Sequence, residues 1–229
     1  MRWVVNRHTR PASSGRTRTG RATGFAGVSG LGLMTALLAA ASLAGCGAAR
    51  PIKYYELTVP DQEGTAKGAD PVPATILLGP LMASHLYRED RIVYGSEGPQ
   101  MGTYEYQRWA EPPTEMVQEV LLRQLRGSGR YKAVYMQRST MSADFLIRGR
   151  LYDFKEVSGG SLVAKVTFEL EMRDLKSGAT VWTHYYSHDE PVSGKDVSAV
   201  ATALDRNVQN GIREVLASLQ GYFSAHPVK

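Results

Sequence analysis

The chain contains a single cysteine in 229 residues, Cys46, and an unusual leader precedes it. Residues 1–23 carry six arginines and no acidic residue, and residues 24–43 are apolar or small. A basic segment followed by an apolar segment and small residues is typical of a secretory signal peptide. Because one cysteine excludes a disulfide within the chain, the rest must be stabilised by a hydrophobic core. We therefore predict that residues 1–45 are a removed leader in front of a core-stabilised domain.

The leader ends in a lipobox-like sequence, the site at which bacterial lipoproteins are modified and cleaved: Leu43, Ala44, Gly45 and Cys46. The prediction is that Cys46 carries a diacylglycerol on its sulfur and, after cleavage, an N-acyl chain. One acyl chain anchors a protein only marginally, so two or three chains would hold it durably. The alternative is that the apolar segment, about 20 residues long, spans a membrane and that Cys46 is incidental.

The residue after Cys46 bears on the membrane in which such a lipoprotein resides. In many Gram-negative bacteria an aspartate at that position signals retention in the inner membrane. This chain has Gly47 there, which favours the outer membrane. We expect the protein on the periplasmic face of the outer membrane, with residues 46–52 as a lipidated tether.

The basic character of the whole sequence belongs to its leader. The formal net charge is +5, but residues 1–45 contain six of the 27 basic residues and none of the 22 acidic ones. The processed chain would therefore have 21 basic and 22 acidic residues, a net charge of −1. This balance, without zinc-finger cysteine spacing or a basic recognition run, argues against nucleic-acid binding.

Strand patterns dominate the rest of the chain. Residues 164–173 alternate between apolar and polar, which predicts a strand with one buried and one solvated face. Residues 74–81 are almost continuously apolar, as expected of a strand covered on both faces. Aromatic and β-branched residues between turn signals predict further strands at residues 53–59, 91–94, 102–109, 131–137, 145–157 and 180–187.

Two helices are predicted. The first opens at Pro112-Pro113, because proline fits the first helical position, and stops at the glycines of residues 127–129. The second covers residues 196–223, where an apolar residue recurs every three or four positions, and Asp196 is suited to cap it. Gly211 within this helix costs about 1 kcal/mol relative to alanine, so we expect close packing there.

These elements predict an α/β fold. The strands and helices belong to one three-layer-like domain at residues 53–225, with a mixed, largely antiparallel sheet packed by two main helices. The last strands are expected to form an antiparallel meander of two or three strands before the closing helix.

The chemistry of an enzyme is missing from the sequence. There is no nucleophile elbow, zinc-protease helix or phosphate-binding loop in the processed chain. His184 and His188 would lie about 13 Å apart on one strand face, too far for one metal ion. Their surroundings supply too few ligands for a metal, so a solvated strand face is expected. We predict no enzymatic activity, no metal site and no cofactor besides the lipid on Cys46.

Aromatic and charged residues suggest a partner-binding surface. Tyr54 and Tyr55 follow the tether, and Arg108, Trp109 and Glu111 lie just before the first predicted helix. Clusters of aromatic residues and arginine are enriched at interaction hot spots. The alternative is that Trp109 packs into the core at the corner between strand and helix, and the same ambiguity applies to Tyr54 and Tyr55.

Several short motifs, in this order, resemble the ABC-type transport auxiliary lipoprotein family. They are Lys53-Tyr54-Tyr55-Glu56-Leu57, Gly79-Pro80, Arg91-Ile92-Val93-Tyr94 and Arg108-Trp109-Ala110-Glu111-Pro112. The resemblance covers nearly all of residues 53–223, although the loop at residues 61–73 looks long for the family. It implies a three-layer α/β lipoprotein and a non-enzymatic component of the cell envelope.

The resemblance also implies partners and a role. Such lipoproteins serve ABC transporters built around MCE-domain proteins, which move lipids or other hydrophobic compounds between the inner and outer membranes. The expected partners are an MCE-domain protein, its ABC transporter and the membrane, with a ring-like homo-oligomer suited to a tunnel end. Two other functions stay open at this point. One is activation of a peptidoglycan-synthesis enzyme, and the other is a periplasmic lipid carrier with its own apolar cavity.

Overall fold

The computed structural model describes residues 50–59, 71–137 and 142–228. The leader, the lipobox from Leu43 to Cys46 and most of the long loop after residue 59 lie outside the described residues. The chain from Arg50 onward forms one unit, and everything that follows concerns this unit.

Within these residues the chain forms eight strands and two helices, and every strand and helix predicted from the sequence is present. In chain order they are β1 (Lys53–Tyr55), β2 (Val72–Ala83), β3 (Arg91–Ser96), β4 (Met101–Trp109), α1 (Pro113–Gly127), β5 (Tyr131–Met136), β6 (Phe145–Ser158), β7 (Leu162–Asp174), β8 (Thr180–Pro191) and α2 (Val197–Ala225). A short 3-10 turn, His85–Tyr87, joins β2 to β3.

Strand β1 is shorter than predicted, because it ends at Tyr55 instead of residue 59, and β8 is longer, because it continues to Pro191 instead of residue 187. Beyond Tyr55 the chain leaves the sheet and crosses α2. The amide of Thr58 donates to Asp205 Oδ1 at 3.0 Å, and Gln209 Nε2 donates to the Thr58 carbonyl at 2.7 Å. Leu57, the residue before these contacts, is buried, so helix packing replaces the strand pairing that the residue types favour.

The eight strands form one mixed sheet that forks at β6. Along its whole length β6 pairs antiparallel with β7, which pairs antiparallel with β8. On its other side, the first half of β6 pairs parallel with β2, and the last residues, Lys155–Ser158, pair parallel with β3. One prong of the fork is β2–β5, and the other is β3–β4–β1. The predicted mixed sheet and its antiparallel meander are confirmed, and the longest ladders are antiparallel.

Both helices contribute to one core. Helix α1 packs on β2 and β5, helix α2 packs on β7 and β8, and the two helices contact each other. The core includes the fully buried side chains of Ile76 on β2, Ile147 on β6, and Leu170 and Met172 on β7. The α/β class and the two packing helices are confirmed, and the described residues place both helices on the same face of the sheet. The opposite face of β6, β7 and β8 is therefore open to solvent.

The sequence features that predict helix α2 also stabilise it and position it on the sheet. Its apolar stripe is almost completely buried and consists of Val200, Leu204, Val208, Ile212, Val215 and Leu219. Asp196 caps the helix, because its Oδ1 accepts a 2.8 Å hydrogen bond from the amide of Ala199. A Cβ atom at Gly211 would lie 2.9 Å from the rings of Phe168 and Tyr186, which confirms the predicted close packing.

Candidate partner-binding surfaces

The fold brings four of the five predicted contact residues together at one edge of the sheet. Strand β1 pairs parallel with the end of β4 and places Tyr54 opposite Arg108 and Tyr55 opposite Trp109. Because β1 is the outermost strand of its prong, its residues lie at the boundary between the sheet and solvent. Glu111 follows the end of β4 and is exposed.

Trp109 is a core residue. Its side chain is 1% exposed. The indole packs edge-on against Phe154 at 5.2 Å between ring centroids and against Tyr55 at 6.4 Å. Tyr55 is half-buried beside it, and its hydroxyl donates to Gln107 Oε1 at 2.7 Å. The side chain of Trp109 cannot contact a partner directly, and the structure shows the alternative interpretation, a tryptophan that closes the strand-to-helix corner.

Arg108 is held by an internal ion pair. Its Nη1 atom lies 2.8 Å from Asp90 Oδ1 and 3.0 Å from Asp90 Oδ2, and the side chain is mostly buried. The adjacent amide of Trp109 donates to the Asp90 carbonyl at 2.6 Å. Asp90 therefore ties the start of β3 to the end of β4. Of the five predicted contact residues, Tyr54 and Glu111 are the ones that the fold leaves exposed.

A second surface, which the sequence did not reveal, is a groove on the open face of the sheet. Its volume is about 450 Å³. It lies where β5 stops at Met136 while β2 continues to Ala83, so the prong is one strand narrower there. The groove is lined by Pro80, Met82, Gln137, Leu146, Arg148, Gly149, Arg150, Glu169 and Glu171.

The charged side chains of the groove are largely paired with one another or with aromatic rings. Arg148 forms an ion pair with Glu171 across the β6–β7 ladder. The guanidinium of Arg150 lies 5.6 Å from the ring centroid of Tyr152, whose hydroxyl donates to Glu169 Oε2 at 3.0 Å. Met82 stays 58% exposed between these groups. The groove thus combines an apolar floor with a polar rim.

The comparison with protein families decides the class of the protein. A model described as "ABC-type transport auxiliary lipoprotein component" matches residues 55–215, more than half of the chain. The chain belongs to this family. The match extends from the end of β1 into helix α2 and includes strands β2 to β8 and both walls of the groove. The resemblance seen in the short sequence motifs is confirmed.

Two of the solved structures that resemble this family member, the first two described here, share its fold at low sequence identity. A crystal structure from Xanthomonas campestris, assigned to the family DUF330, has a TM-score of 0.65 at 18% identity and covers 76% of this chain and 99% of that chain. The crystal structure of an uncharacterized protein has a TM-score of 0.59 at 10% identity, covering 74% and 99%. A PelC dodecamer from Paraburkholderia phytofirmans gives 0.45 at 16% identity, covering 66% and 92%. No protein in the curated set matches the sequence.

Both histidines of β8 in this auxiliary lipoprotein were predicted to lie on a solvated strand face, and only one of them is exposed. His188 is exposed, 3.7 Å from Glu190. His184 is half-buried and stacks parallel to Trp182 at 5.9 Å. Burial lowers the pKa of His184, and the charge of Glu214 opposes the shift. In the described part of the chain no three potential ligands come together for a metal ion.

Two further observations concern the class of protein. The family is that of an auxiliary lipoprotein component and is not a known enzyme family. Neither helix of the described residues combines the length and the apolar character that crossing a membrane requires.

Proposed function

We propose that this chain is a docking subunit of an ABC transport system built around an MCE-domain protein, anchored by lipid in the outer membrane. The observation that carries the proposal is the family match over residues 55–215, which begins nine residues after the lipobox cysteine Cys46. The system would move lipids or other hydrophobic compounds through the periplasm, and this subunit would act without catalysis.

The anchor part of the proposal rests on the sequence. Residues 1–45 would be removed as a signal peptide, Cys46 would carry a diacylglycerol and an N-acyl chain, and residues 46–52 would be the tether. Several acyl chains on one residue give durable attachment, because each buried methylene contributes about 0.8 kcal/mol. Gly47 supports the outer membrane over the inner one.

We assign contact with the MCE-domain partner to the groove on the open sheet face. An apolar centre with a polar rim is the usual composition of a protein interface. The two sides of this groove are strands β2 and β6–β7, which are held in the sheet by hydrogen-bonded ladders. These walls are therefore pre-organised, which lowers the conformational cost of binding a partner.

The filling of the core favours docking over lipid carriage. Between the helices and the sheet, the described side chains interdigitate with little or no exposure, including Leu121, Leu125, Phe168 and Leu204. The groove of about 450 Å³ lies outside this core and is open to solvent. A carrier needs an enclosed apolar space for its cargo, whereas this groove lies on the surface.

Co-purification tests the proposal directly. The protein, tagged at its C-terminus and expressed from its own gene, would be cross-linked in intact cells and purified in detergent. An MCE-domain protein should co-purify, and labelled palmitate should appear on the wild type but not on the Cys46→Ser variant. Capture of a peptidoglycan synthase without any MCE-domain protein would overturn the proposal in favour of the activator. A palmitate-free wild type would overturn the anchor.

A further inference from the structure

The domain begins with exposed apolar and basic side chains that the core does not use. Arg50, Ile52, Lys53 and Tyr54, here named the N-terminal ridge, precede or begin strand β1. Ile52 is 45% exposed and Tyr54 62% exposed. Large apolar residues so exposed at one place are a common mark of an interaction surface.

The fold itself keeps the ridge exposed. Strand β1 is hydrogen-bonded to β4, and the amide of Ala110 donates to the Tyr55 carbonyl at 2.7 Å. Tyr55 points inward to Trp109. Because neighbouring residues of a strand point to opposite faces, Tyr54 is directed away from the core. The ridge is therefore a fixed feature of the domain surface.

The distance along the chain identifies what the ridge meets. Three residues separate Cys46 from Arg50, and even a fully extended chain advances only about 3.5 Å at each of the four steps, or about 14 Å in all. With the acyl chains of Cys46 in a bilayer, the ridge lies within reach of the lipid headgroups. This step rests on the lipid anchor of the proposed function.

The chemistry of the ridge fits a lipid surface. Two of its four residues are basic, and the sequence from Cys46 to Tyr55 contains no acidic residue. Basic residues beside a membrane are attracted to anionic headgroups, by about 1 kcal/mol each. Tyrosine is enriched at the boundary between lipid and water, where its ring is apolar and its hydroxyl is hydrated. The pKa of Tyr106 is raised, chiefly by its hydrogen bond to Glu105, and the charge of Arg50 opposes this shift. Arg50 therefore lies near the phenol of Tyr106.

We infer that the N-terminal ridge rests on the surface of an anionic phospholipid bilayer and sets the orientation of the domain against the membrane. Ile52 and Tyr54 would enter the headgroup region, Arg50 would lie against phosphates, and Lys53, exposed on the other face of this edge strand, would reach phosphates with its long side chain. The ridge is thus a second membrane contact beside the acyl chains. The ridge would thereby hold the domain at a defined angle to the membrane, which the flexible tether alone would not do.

The experiment uses the single cysteine of the chain. Once Cys46 is acylated, a cysteine introduced at Tyr54 is the sole free thiol, and a fluorophore can be attached there. The matched control is Tyr185→Cys on β8, since both tyrosines are 62% exposed. The full-length lipidated variants would be reconstituted into vesicles of phosphatidylethanolamine with a minority of phosphatidylglycerol. Some of the phospholipids would carry a quencher just below the headgroup.

The inference predicts several-fold stronger quenching of the label at position 54 than at position 185. In the Arg50→Glu, Lys53→Glu background the quenching at position 54 should fall towards the control value while the protein still floats with the vesicles. Equal quenching at both positions in floating vesicles overturns the ridge and leaves the anchor intact. Loss of flotation overturns the anchor and the ridge together. A label at 54 that is unquenched in vesicles but shielded from aqueous iodide in cells containing the transport partners assigns the ridge to a protein and overturns its contact with lipid.

Discussion

The hydroxyl of Tyr186 on β8 donates a 2.6 Å hydrogen bond to Asn207 Oδ1 on α2. Asn207 is completely buried. Its Nδ2 atom donates to the carbonyls of Ala164 at 2.8 Å and His188 at 2.9 Å, so one side chain joins the helix to two strands. All of its hydrogen-bonding groups have protein partners. A fully paired buried amide of this kind specifies where α2 lies on the sheet.

Replacing Asn207 by alanine should lower the free energy of unfolding by about 2–3 kcal/mol, because two carbonyls lose a donor and the Tyr186 hydroxyl keeps only the backbone carbonyl of residue 207. Urea unfolding monitored by circular dichroism measures the change. Asn210→Ala on the same helix is the control and should shift stability by less than about 0.5 kcal/mol, because Asn210 is partly exposed. In the Asn207→Ala background, Tyr186→Phe should cost less than it does in the wild type, since the two side chains are coupled. Additive effects would contradict the coupling.

Two glycines of α2 should respond to alanine with opposite signs. At Gly211 a Cβ atom would lie 2.9 Å from the rings of Phe168 and Tyr186, so overpacking should cost about 1–3 kcal/mol. At Gly221 the same atom meets nothing within 4 Å, and the helix should gain about 0.5–1 kcal/mol. In thermal unfolding, the Tm of Gly211→Ala should lie below that of the wild type and the Tm of Gly221→Ala above it. Stabilisation by Gly211→Ala would show that the rings of Phe168 and Tyr186 move apart easily.

Asp174 should make the stability of the domain depend on acidic pH. Its pKa is lowered chiefly by a hydrogen bond from the amide of Ser177, against some desolvation, with a further bond from the amide of Lys176; both amides lie 2.8 Å from Oδ1. Because the folded pKa is depressed, this stabilisation is present above the unfolded pKa of about 3.9 and is lost as pH falls through the folded value. Asp174→Asn keeps an acceptor oxygen but cannot titrate. Its urea midpoint should therefore fall less steeply than that of the wild type between neutral and strongly acidic pH, and parallel curves would contradict this.

The groove should lose its partner when its floor becomes charged. Met82→Asp places a carboxylate among Pro80 and Leu146, opposite Arg150. This change should weaken capture of the MCE-domain protein by about tenfold, since the partner would have to desolvate the new charge, and tenfold corresponds to about 1.4 kcal/mol. The thermal stability of the free protein should change little, because Met82 is 58% exposed. Leu175→Asp, at the turn after β7, alters another exposed apolar residue away from the groove and should leave capture intact. Equal capture by both variants would place the partner elsewhere.

Local sequence patterns were sufficient to predict the strands and helices, but not which strands lie next to each other in the sheet. The alternation along β7 and the stripe along α2 predict both elements, because burial on one face imposes a period that the sequence records. The fork at β6 has no such signature, since strand pairing joins residues far apart in the chain. Nothing in the sequence of β6 indicates that its first half pairs with β2 and its end with β3.

The candidate contact residues show the same limit at the level of single side chains. Tyr54 and Tyr55 are identical in type and adjacent in sequence, yet one is exposed and the other packs on Trp109. Only the pairing of β1 with β4 determines which of the two tyrosines is exposed and which packs on Trp109. The groove depends on the different lengths of β2 and β5, so single-residue patterns could not reveal it.

If the proposed lipid anchor holds the domain at its N-terminus, the short β1 ladder has a mechanical consequence. Any tension on the residues before Arg50 reaches the sheet through the pairing of Lys53–Tyr55 with β4 and the stacking of Tyr55 on Trp109. If these give way, the strain passes to the hydrogen bonds of Thr58 with Asp205 and Gln209 on α2. Under tension the three paired residues of β1 would thus separate from β4 first, and the contacts of Thr58 with helix α2 would bear the load next.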